Sequence, residues 1–369
     1  MSERALFCTI TQASGHGGIA RVSSLLWQVI QTRYQGECEM LTASSRESGE
    51  LSRWDKVTFS KRVIERQLFG ECDFLFFDHL GLARVQSLIP SCLRRPYGVF
   101  LHSVEAWAPL SPTRLKALVQ ADIRVANSHY TAERVSAAHP EVGKIDVCHL
   151  TLGLNMLHGG LRNVPATLSQ RELLCRVQAR SVLVVGRMMK SERHKGHEQL
   201  IHAWPLVRKE VPDAQLVVVG QGDDVARLKG LARQVGIEES TLFMGHVDDH
   251  TLREIYQRVA VFAMPSRGEG FGIVYLEAMF HRLACIGSIH DAAREIIVDG
   301  ETGFLVAQDQ ISDLANKLTQ LLSDQDLRDR FGSNGFLRLK TTLSYERFQS
   351  SIEESLEKLS ADIQMTEQA

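Results

Sequence analysis

Two glutamates eight positions apart, Glu269 and Glu277, flank the turn with the clearest chemical potential in this sequence. The turn Gly268-Glu269-Gly270-Phe271-Gly272 follows the apolar run Val259–Met264 and precedes a helix-like segment. Its glycines let a ligand approach the main chain, and the N–H groups at a helix start favour a bound anion. Carboxylates beside an anion site favour a ligand that carries hydroxyls as well as phosphates, such as a nucleotide-linked sugar.

A second group of candidates lies in the basic stretch Gly186–His197, which follows another apolar run. Four of these twelve residues are Lys or Arg, among them Arg187 and Lys195. Cations just after a strand suit an anionic ligand, although charge runs are most often solvated surface. The residues by themselves leave phosphate binding and a solvated loop as equal alternatives.

The first half of the chain supplies weaker candidates. Gly17 and Gly18 open a helix, where glycines permit close approach of a phosphate. His102 ends an apolar run, so it can either face a cleft or be a core histidine bonded to a neighbouring carbonyl. Asn127 and Ser128 follow a further strand, and we expect one or the other to cap the next helix.

The elements that must position these residues alternate between short apolar runs and amphipathic segments. This alternation indicates β-α-β units and parallel sheets, which bind ligands at the carboxyl ends of their strands. The predicted strands are Ala5–Ile10, Phe74–Asp78, Tyr97–Leu101, Ile123–Ala126, Ile145–His149, Ser181–Gly186, Ala214–Gly220, Leu242–Gly245, Val259–Pro265 and Leu283–Gly287.

Composition excludes several classes of protein. Hydrophobic residues at 44% and charged residues at 23% are ordinary for a globular chain, and a net charge of -2 gives no general attraction to nucleic acid. Seven scattered cysteines without C-x-x-C spacing indicate reduced thiols, not a disulfide framework or a zinc site. Because the sequence lacks a signal-peptide pattern and an apolar span of ~20 residues, we expect a cytoplasmic protein.

The length of 369 residues accommodates two domains. Residues 156–179 are polar, and we predict that they form an irregular connection. Asp324-Gln325-Asp326 has the D-x-D form that can hold a metal with a nucleotide, but it lies between two predicted helices. That position favours helix capping, and no metal site is predicted.

In their order along the chain, these motifs resemble those of the retaining GT-B glycosyltransferases of family 4. The likeness is strong over residues 181–307 and weaker elsewhere, and Asn155 occupies the place of the family's Pro-Asn-Gly turn. It rests on Gly186-Arg187 with Lys195-Gly196, Val219-Gly220-Gln221-Gly222, Phe243-Met244-Gly245, Pro265-Ser266, Glu269 with Glu277, and Glu295-Ile296-Ile297 with Thr302-Gly303-Phe304.

The resemblance implies an α/β fold of the GT-B class, with two Rossmann-like domains facing across a cleft. Residues 1–165 would bind the acceptor, residues 166–180 would be the linker, and residues 181–344 would bind the nucleotide sugar. Residues 345–369 would form a helix that crosses back to the N-terminal domain.

The resemblance also implies roles for individual residues of the second half. Arg187 and Lys195 would bind the donor diphosphate, so that the departing phosphate is stabilised by fixed cations without a metal or cofactor. Glu277 would accept hydrogen bonds from the ribose, and Glu269 would hold the hydroxyls of the transferred sugar.

Further contacts with the donor follow from the same likeness. His102 would lie beside the reacting face of the sugar as a second catalytic residue. The remaining donor contacts would be made by the main chain at Gly17, Gly18, Val247, Gly270, Phe271 and Gly272.

Retention by two displacements needs a carboxylate nucleophile about 5 Å from its acid partner, and Glu269 is the one motif carboxylate expected near the sugar. We therefore expect front-face attack, in which the leaving phosphate takes the proton of the acceptor. The alternatives are a nucleotide-sugar epimerase or phosphorylase of the same architecture, and a non-catalytic sugar-nucleotide sensor or scaffold. A dinucleotide oxidoreductase matches only in part, through Gly15, Gly17 and Ala20.

The expected substrates are a nucleotide-diphosphate hexose and a glycan or lipid-linked acceptor in bacterial surface-polysaccharide or lipopolysaccharide assembly. The N-terminal half carries the basic clusters Lys56, Lys61, Arg62 and Arg66, and Arg94 with Arg95. They fit either peripheral contact with anionic lipid at the inner face of the cell membrane or an ordinary solvated surface.

Overall fold

The computed structural model describes residues 3–11, 17–44, 51–154 and 168–367. The predictions for Gly15 and Asn155, and the predicted domain boundary at residue 165, lie outside these ranges. The chain divides into two compact units, one formed by Met1–Gly153 with Tyr345–Ala369 and the other by Leu154–Ser344.

The first unit contains a six-stranded parallel sheet in the order β2-β1-β3-β4-β5-β6. Its described strands are β1 (Ala5–Thr11), β2 (Cys38–Ser44), β3 (Phe74–Phe77), β4 (Tyr97–Leu101), β5 (Ile123–Ala126) and β6 (Asp146–Val147). Its helices before the second unit are α1 (Gly18–Tyr34), α2 (Arg53–Leu68), α3 (Leu80–Ala83), α4 (Val104–Trp107), α5 (Pro112–Val119) and α6 (His129–Ala138), with 3-10 turns at Arg84–Leu88 and Ser91–Leu93.

The central strands of this sheet are buried on both faces. Every residue of β3, β4 and β5 is buried, and β3 and β4 accordingly read as continuous apolar runs in the sequence, whereas β5 includes Arg124. Strand β2 was not predicted, because its sequence Cys-Glu-Met-Leu-Thr-Ala-Ser mixes polar and apolar residues. It lies at the edge of the sheet and is only partly buried.

The second unit contains another six-stranded parallel sheet, in the order β12-β11-β10-β7-β8-β9. Its strands are β7 (Ser181–Val185), β8 (Gln215–Val219), β9 (Thr241–Gly245), β10 (Val261–Ala263), β11 (Ala284–Ser288) and β12 (Gly303–Val306). Its helices are α7 (Leu168–Cys175), α8 (His197–Glu210), α9 (Val225–Gln234), α10 (Asp249–Arg258), α11 (Ile273–Phe280), α12 (Ala293–Ile296), α13 (Ile311–Ser323) and α14 (Gln325–Thr341), with 3-10 turns at Lys190–Lys195 and Glu238–Ser240.

Glycines let the strand ends of this unit approach one another closely. Gly220 has φ +141°, and a Cβ atom there would lie 2.0 Å from the carbonyl oxygen of Gly186. Gly222 has φ +158°, and its Cβ would lie 2.1 Å from the carbonyl oxygen of Met188. The turns after β7 and β8 are therefore packed backbone to backbone.

The prediction of an irregular connection over residues 156–179 is wrong for α7. This helix carries Leu174, which is buried, and the carbonyl of Leu174 accepts a hydrogen bond of 3.2 Å from Arg258 of α10. The short and mostly polar sequence hides a helix that packing against its neighbour stabilises.

The last helix, α15 (Tyr345–Glu367), belongs to the first unit. Its apolar residues Phe348, Ile352, Leu356 and Leu359 recur at helical spacing and are buried. The Nζ of Lys358 in α15 lies 2.6 Å from Oδ2 of Asp146 at β6.

The D-x-D segment caps a helix. The side chain of Asp324 accepts a hydrogen bond of 2.9 Å from the N–H of Leu327, at the start of α14. Among the helices within the described ranges, none combines the length and the apolar character needed to cross a membrane.

Candidate active site

The glycine turn joins β10 to α11 at the carboxyl edge of the second sheet. Gly268 and Gly272 have φ values of +98° and +93°, in the region that favours glycine. Gly272 is the N-cap residue of α11, and a Cβ atom there would lie 2.7 Å from the ring of Tyr275. The turn thus requires glycine where the sequence has it.

The side chain of Glu269 forms an ion pair with Lys195. The Lys195 Nζ lies 2.9 Å from Oε2 of Glu269, and the two side chains are only 18% and 19% exposed. Burial by itself raises the pKa of the Glu269 carboxyl, but Lys195, His194 and the N–H of Phe271 outweigh it and hold the pKa below its usual value. Glu269 is therefore ionised at neutral pH.

The turn after β7 carries Lys195 to this position. Gly196 has φ +85°, and a Cβ atom there would lie 2.5 Å from the carbonyl oxygen of Pro265. The N–H of Arg267 donates a hydrogen bond of 2.8 Å to the carbonyl of His194. These contacts fasten the turn after β7 to the turn after β10, since the two strands are neighbours. The negative charge of Glu269 raises the pKa of Lys195.

Arg187 forms an ion pair with Glu192, a residue to which the motifs assign no role. The Arg187 side chain is 72% exposed, whereas that of Glu192 is 17% exposed. Arg187 lowers the pKa of Lys195 and Glu192 raises it, so these charges all lie within electrostatic reach of Lys195. Each of the two predicted diphosphate-binding cations forms an ion pair with its own carboxylate.

Arg193, in the same basic stretch, has a different partner. Its guanidinium donates hydrogen bonds of 2.8 and 3.1 Å to the buried carboxylate of Asp224, which Arg227 also contacts. Hydrogen bonds from Arg227, assisted by Arg193, lower the pKa of Asp224 to about 2. This cluster fixes the turn and commits Arg193 to a structural role.

Glu277 lies within α11 and is 2% exposed. The hydroxyl of Tyr256 donates a hydrogen bond of 2.9 Å to its Oε2. Tyr256 is in turn stacked on His281, with 5.3 Å between ring centroids and 6° between planes. The carboxylate of Glu277 is therefore held in one position by α10 and α11.

Val247 follows β9, and the N–H of Gly220 donates a hydrogen bond of 2.8 Å to the carbonyl of Gly245 just before it. The side chain of Val247 is buried. The residue lies at the same carboxyl edge of the sheet as Arg187, Lys195 and Glu269, on the far side of β8 from β7. The main-chain N–H of Phe271, predicted to lie near the sugar, bonds to Glu269 in this structure.

A buried aspartate that the motifs did not indicate accepts hydrogen bonds from the glycine turn. Asp291 follows β11, and its Oδ2 accepts hydrogen bonds from the Ser266 hydroxyl at 2.7 Å and the Glu269 N–H at 3.2 Å. Its Oδ1 accepts one of 3.1 Å from the N–H of Ala293. No motif signal marks Asp291, because its partners lie 22 or more positions away or are main-chain groups.

In the first unit, His102 follows β4 and is buried. Its Nε2 lies 2.6 Å from the carbonyl oxygen of Asp78. Since a carbonyl only accepts, Nε2 carries the proton, and Nδ1 of the neutral ring is then an acceptor. The carbonyl contact that we expected for a core histidine is present, and it also fixes the ring at the carboxyl edge of the sheet.

The main chain at His102 is held equally firmly. Its N–H donates a hydrogen bond of 2.6 Å to Glu105, and its carbonyl accepts one of 2.7 Å from Asn127. Ser128 caps α6 through a bond of 3.0 Å from the N–H of Thr131, as predicted. Asn127 therefore positions His102, while Ser128 starts the helix.

Gly17 and Gly18 stand at the start of α1. Gly17 is its N-cap residue with φ +95°, and both glycines are exposed. A Cβ atom at either position would meet no heavy atom within 4 Å. The positive φ explains glycine at position 17, while no packing contact within the described residues requires glycine at position 18.

One family model matches most of the second unit. Residues 169–338 match the family model described as glycosyl transferases group 1. The match covers strands β7 to β12 and helices α7 to α13 with most of α14. It therefore includes the basic stretch Gly186–His197 and the glycine turn with Glu269 and Glu277.

Two curated relatives are similar to the chain over part of its length. Phosphatidyl-myo-inositol mannosyltransferase of Mycobacterium tuberculosis is 37% identical over 163 residues, or 43% of this chain and 42% of that protein. Lipopolysaccharide core biosynthesis mannosyltransferase LpcC of Rhizobium leguminosarum bv. viciae is 30% identical over 174 residues, or 46% and 49%. The chain thus matches these relatives over less than half of their length.

Likeness in three dimensions extends further. The crystal structure of Anabaena HepE, solved in complex with UDP and glucose, superposes with a TM-score of 0.73 at 20% identity and covers 96% of this chain and 99% of that one. At this identity the match concerns the fold. The protein has an α/β fold of the GT-B class, and its residues 169–338 match the glycosyl transferases group 1 model.

Proposed function

We propose that the protein is a retaining glycosyltransferase that moves a hexose from a nucleoside-diphosphate sugar to a glycan or lipid-linked acceptor. The observation that carries this proposal is the Lys195–Glu269 ion pair, which joins a cation of the turn after β7 to the carboxylate, in the turn after β10, that we assign to the sugar. The match to the group 1 model, the two mannosyltransferase relatives and the solved complex of HepE with UDP and glucose support it.

The cations suit the diphosphate of such a donor. Arg187 and Lys195 can exchange their carboxylate partners for phosphate oxygens, which form charge-assisted hydrogen bonds of comparable strength. Negative charge grows on the leaving phosphate during transfer, and fixed cations stabilise it. The chemistry therefore needs no metal, and the donor is a substrate and not a cofactor.

The carboxylates suit front-face substitution. Glu277 is held by Tyr256, and both oxygens of Asp291 face donors beneath the turn, so neither is available as a second catalytic carboxylate. In the proposed step, a bond forms between the acceptor oxygen and the anomeric carbon while the bond to the phosphate oxygen breaks. The acceptor proton passes to the departing phosphate.

Glu269 and His102 would act on the sugar. Glu269 is ionised, so it can accept hydrogen bonds from sugar hydroxyls and stabilise a ring with oxocarbenium character. The Nε2 of His102 donates to the carbonyl of Asp78, which leaves Nδ1 as the ring atom able to contact a sugar hydroxyl.

An acceptor linked to lipid would bring the protein to a membrane surface, and helix α2 has a face suited to that contact. Trp54 is 79% exposed and Val57 is 59% exposed, while Lys61 and Leu68 continue the same side of the helix. The opposite side buries Phe59 and other core residues. We extend the proposal to peripheral binding of this face to anionic lipid, in bacterial surface-polysaccharide or lipopolysaccharide assembly.

A thermal-shift panel tests the donor. The panel contains UDP-glucose, UDP-galactose, UDP-N-acetylglucosamine, GDP-mannose and ADP-glucose, with inorganic phosphate as the control. A donor present at 100 times its Kd adds about 2.7 kcal/mol of stability. We expect one member to raise the Tm and then to be hydrolysed or transferred; binding without turnover would favour a sensor or scaffold, and isomerisation of the sugar would favour an epimerase.

A further inference from the structure

Asp291 is a buried carboxyl beside the glycine turn, and the proposed reaction assigns it no role. Its side chain is fully buried, and it joins the segment after β11 to the glycine turn after β10. Two of its three hydrogen-bond donors, the Ser266 hydroxyl and the Glu269 N–H, belong to that turn. A residue so placed can control the turn without touching a ligand.

The segment at Asp291 holds the main chain of Glu269 from both sides. The Glu269 N–H donates to Asp291 at 3.2 Å, and the Glu269 carbonyl accepts from the N–H of Ala292 at 3.3 Å. The strand end just before the turn is fixed as well, because the hydroxyl of Tyr275 donates a bond of 2.6 Å to the carbonyl of Met264. With its main chain fixed, Glu269 directs its carboxylate to Lys195.

The charge of Asp291 is not balanced by a neighbouring cation. Within the described parts of the chain, no Lys or Arg side chain forms an ion pair with it, and the titratable groups that face it are Glu269 and the Tyr275 hydroxyl. Burial raises the pKa of Asp291 to about 7, and the charge of Glu269 adds to this effect. The hydrogen bond from Ser266 acts in the opposite direction.

We propose that Asp291, in its ionised form, is the positioning residue that holds Glu269 in the conformation required for sugar transfer. The proposal rests on the proposed function. The ionised form fits because the two N–H partners, at Glu269 and Ala293, can only donate. A proton on the carboxyl would make its oxygens weaker acceptors for these N–H groups and would loosen the turn.

Turnover of the nucleotide sugar selected by the thermal-shift panel tests this proposal, measured from pH 5.5 to 9. The variants are Asp291→Asn and Ser266→Ala, with Asp309→Asn as a matched control that removes one exposed negative charge. We expect wild-type kcat to rise with pH through an apparent pKa near 7. Asp291→Asn should lower kcat at least tenfold and abolish this rise, with Kd for the nucleoside diphosphate changed less than threefold.

Ser266→Ala provides the sharper readout, because it removes a bond that lowers the pKa of Asp291. The rise in kcat should move to higher pH in this variant and stay in place in Asp309→Asn. If Asp291→Asn does not fold, the midpoint in Ser266→Ala decides alone, and an unchanged midpoint overturns the proposal. Wild-type protein that binds no nucleoside diphosphate would overturn the proposed function and this inference with it.

Discussion

The Nζ of Lys195 and Oε2 of Glu269 lie 2.9 Å apart, although the two residues are 74 positions apart in sequence. The pair joins two residues to which we assign different parts of the donor, the diphosphate and the sugar. A phosphate that takes hydrogen bonds from Lys195 would leave Glu269 able to accept them from sugar hydroxyls. Binding of the diphosphate would then also release the Glu269 carboxylate to bind the sugar.

Lys195→Ala should weaken binding of the nucleoside diphosphate. Hydrogen bonds to charged groups contribute about 1.5–3 kcal/mol, which corresponds to an increase in Kd of roughly 10- to 150-fold. Isothermal titration measures the change. Lys190→Ala removes the same charge from an exposed position of the same turn and should leave Kd within about twofold; equal losses in the two variants would contradict a specific role for Lys195.

Glu192→Gln should tighten binding of the nucleoside diphosphate. Glu192 forms an ion pair with Arg187, so a bound diphosphate must compete with Glu192 for the guanidinium. Removing its charge while keeping its shape should lower Kd several-fold and leave the affinity for an uncharged nucleoside unchanged. A Kd equal to or above that of the wild type would show that Arg187 does not exchange partners on binding.

Glu277→Gln should act on the ribose and not on the phosphates. The wild-type protein should bind a nucleoside diphosphate more tightly than its 2′,3′-dideoxy analogue, and this preference should shrink in the variant. Tyr256→Phe should have a smaller effect in the same direction, because it removes the hydrogen bond that fixes Glu277. Variants that keep the full preference for the ribose hydroxyls would refute the assignment.

Gly196→Ala should destabilise the protein, and it tests how the turn after β7 is fixed. A left-handed backbone costs a non-glycine residue about 1–2 kcal/mol, and the new Cβ would stand 2.5 Å from the Pro265 carbonyl oxygen. Differential scanning calorimetry should therefore show a lower Tm. The matched control is Gly230→Ala, within α9 with open space around the Cβ, which should gain roughly 0.5–1 kcal/mol.

The fold could be predicted where a segment is so completely buried that all of its residues are apolar. Strands such as β4 are apolar throughout because both faces of the sheet are covered. Strand β2 and helix α7 escaped prediction because an edge strand and a short packed helix keep polar residues. Their identity depends on contacts with distant parts of the chain, which local patterns do not carry.

The candidate site could be predicted in its parts but not in its connections. The motifs identify Arg187, Lys195, Glu269 and Glu277 by type and spacing. They give no sign that the first three are paired with carboxylates or cations, or that Arg193 is committed to Asp224. Those pairings depend on which turns the sheet order makes neighbours.

Binding to anionic vesicles should depend on the exposed face of α2. With vesicles containing 30% phosphatidylglycerol, we expect flotation of the wild-type protein at low salt and less at 0.5 M salt, because basic residues near the surface contribute about 1 kcal/mol each. Trp54→Ser combined with Lys61→Glu should abolish flotation. Leu206, exposed on α8 of the second unit, offers Leu206→Ser as a control that should float like the wild type; salt-independent flotation or retention by the double variant would contradict the role of α2.

The most direct test of the account is the turnover of the stabilising nucleotide sugar by Glu269→Gln compared with the wild type. The variant keeps the size of the side chain and loses the charge that we expect to stabilise the sugar during transfer. We predict that it binds the nucleoside diphosphate at least as well as the wild type and that its kcat falls at least 100-fold, without a glycosyl-enzyme adduct in mass spectra of either protein. Turnover close to the wild-type rate, or an adduct trapped on Glu269, would contradict the account.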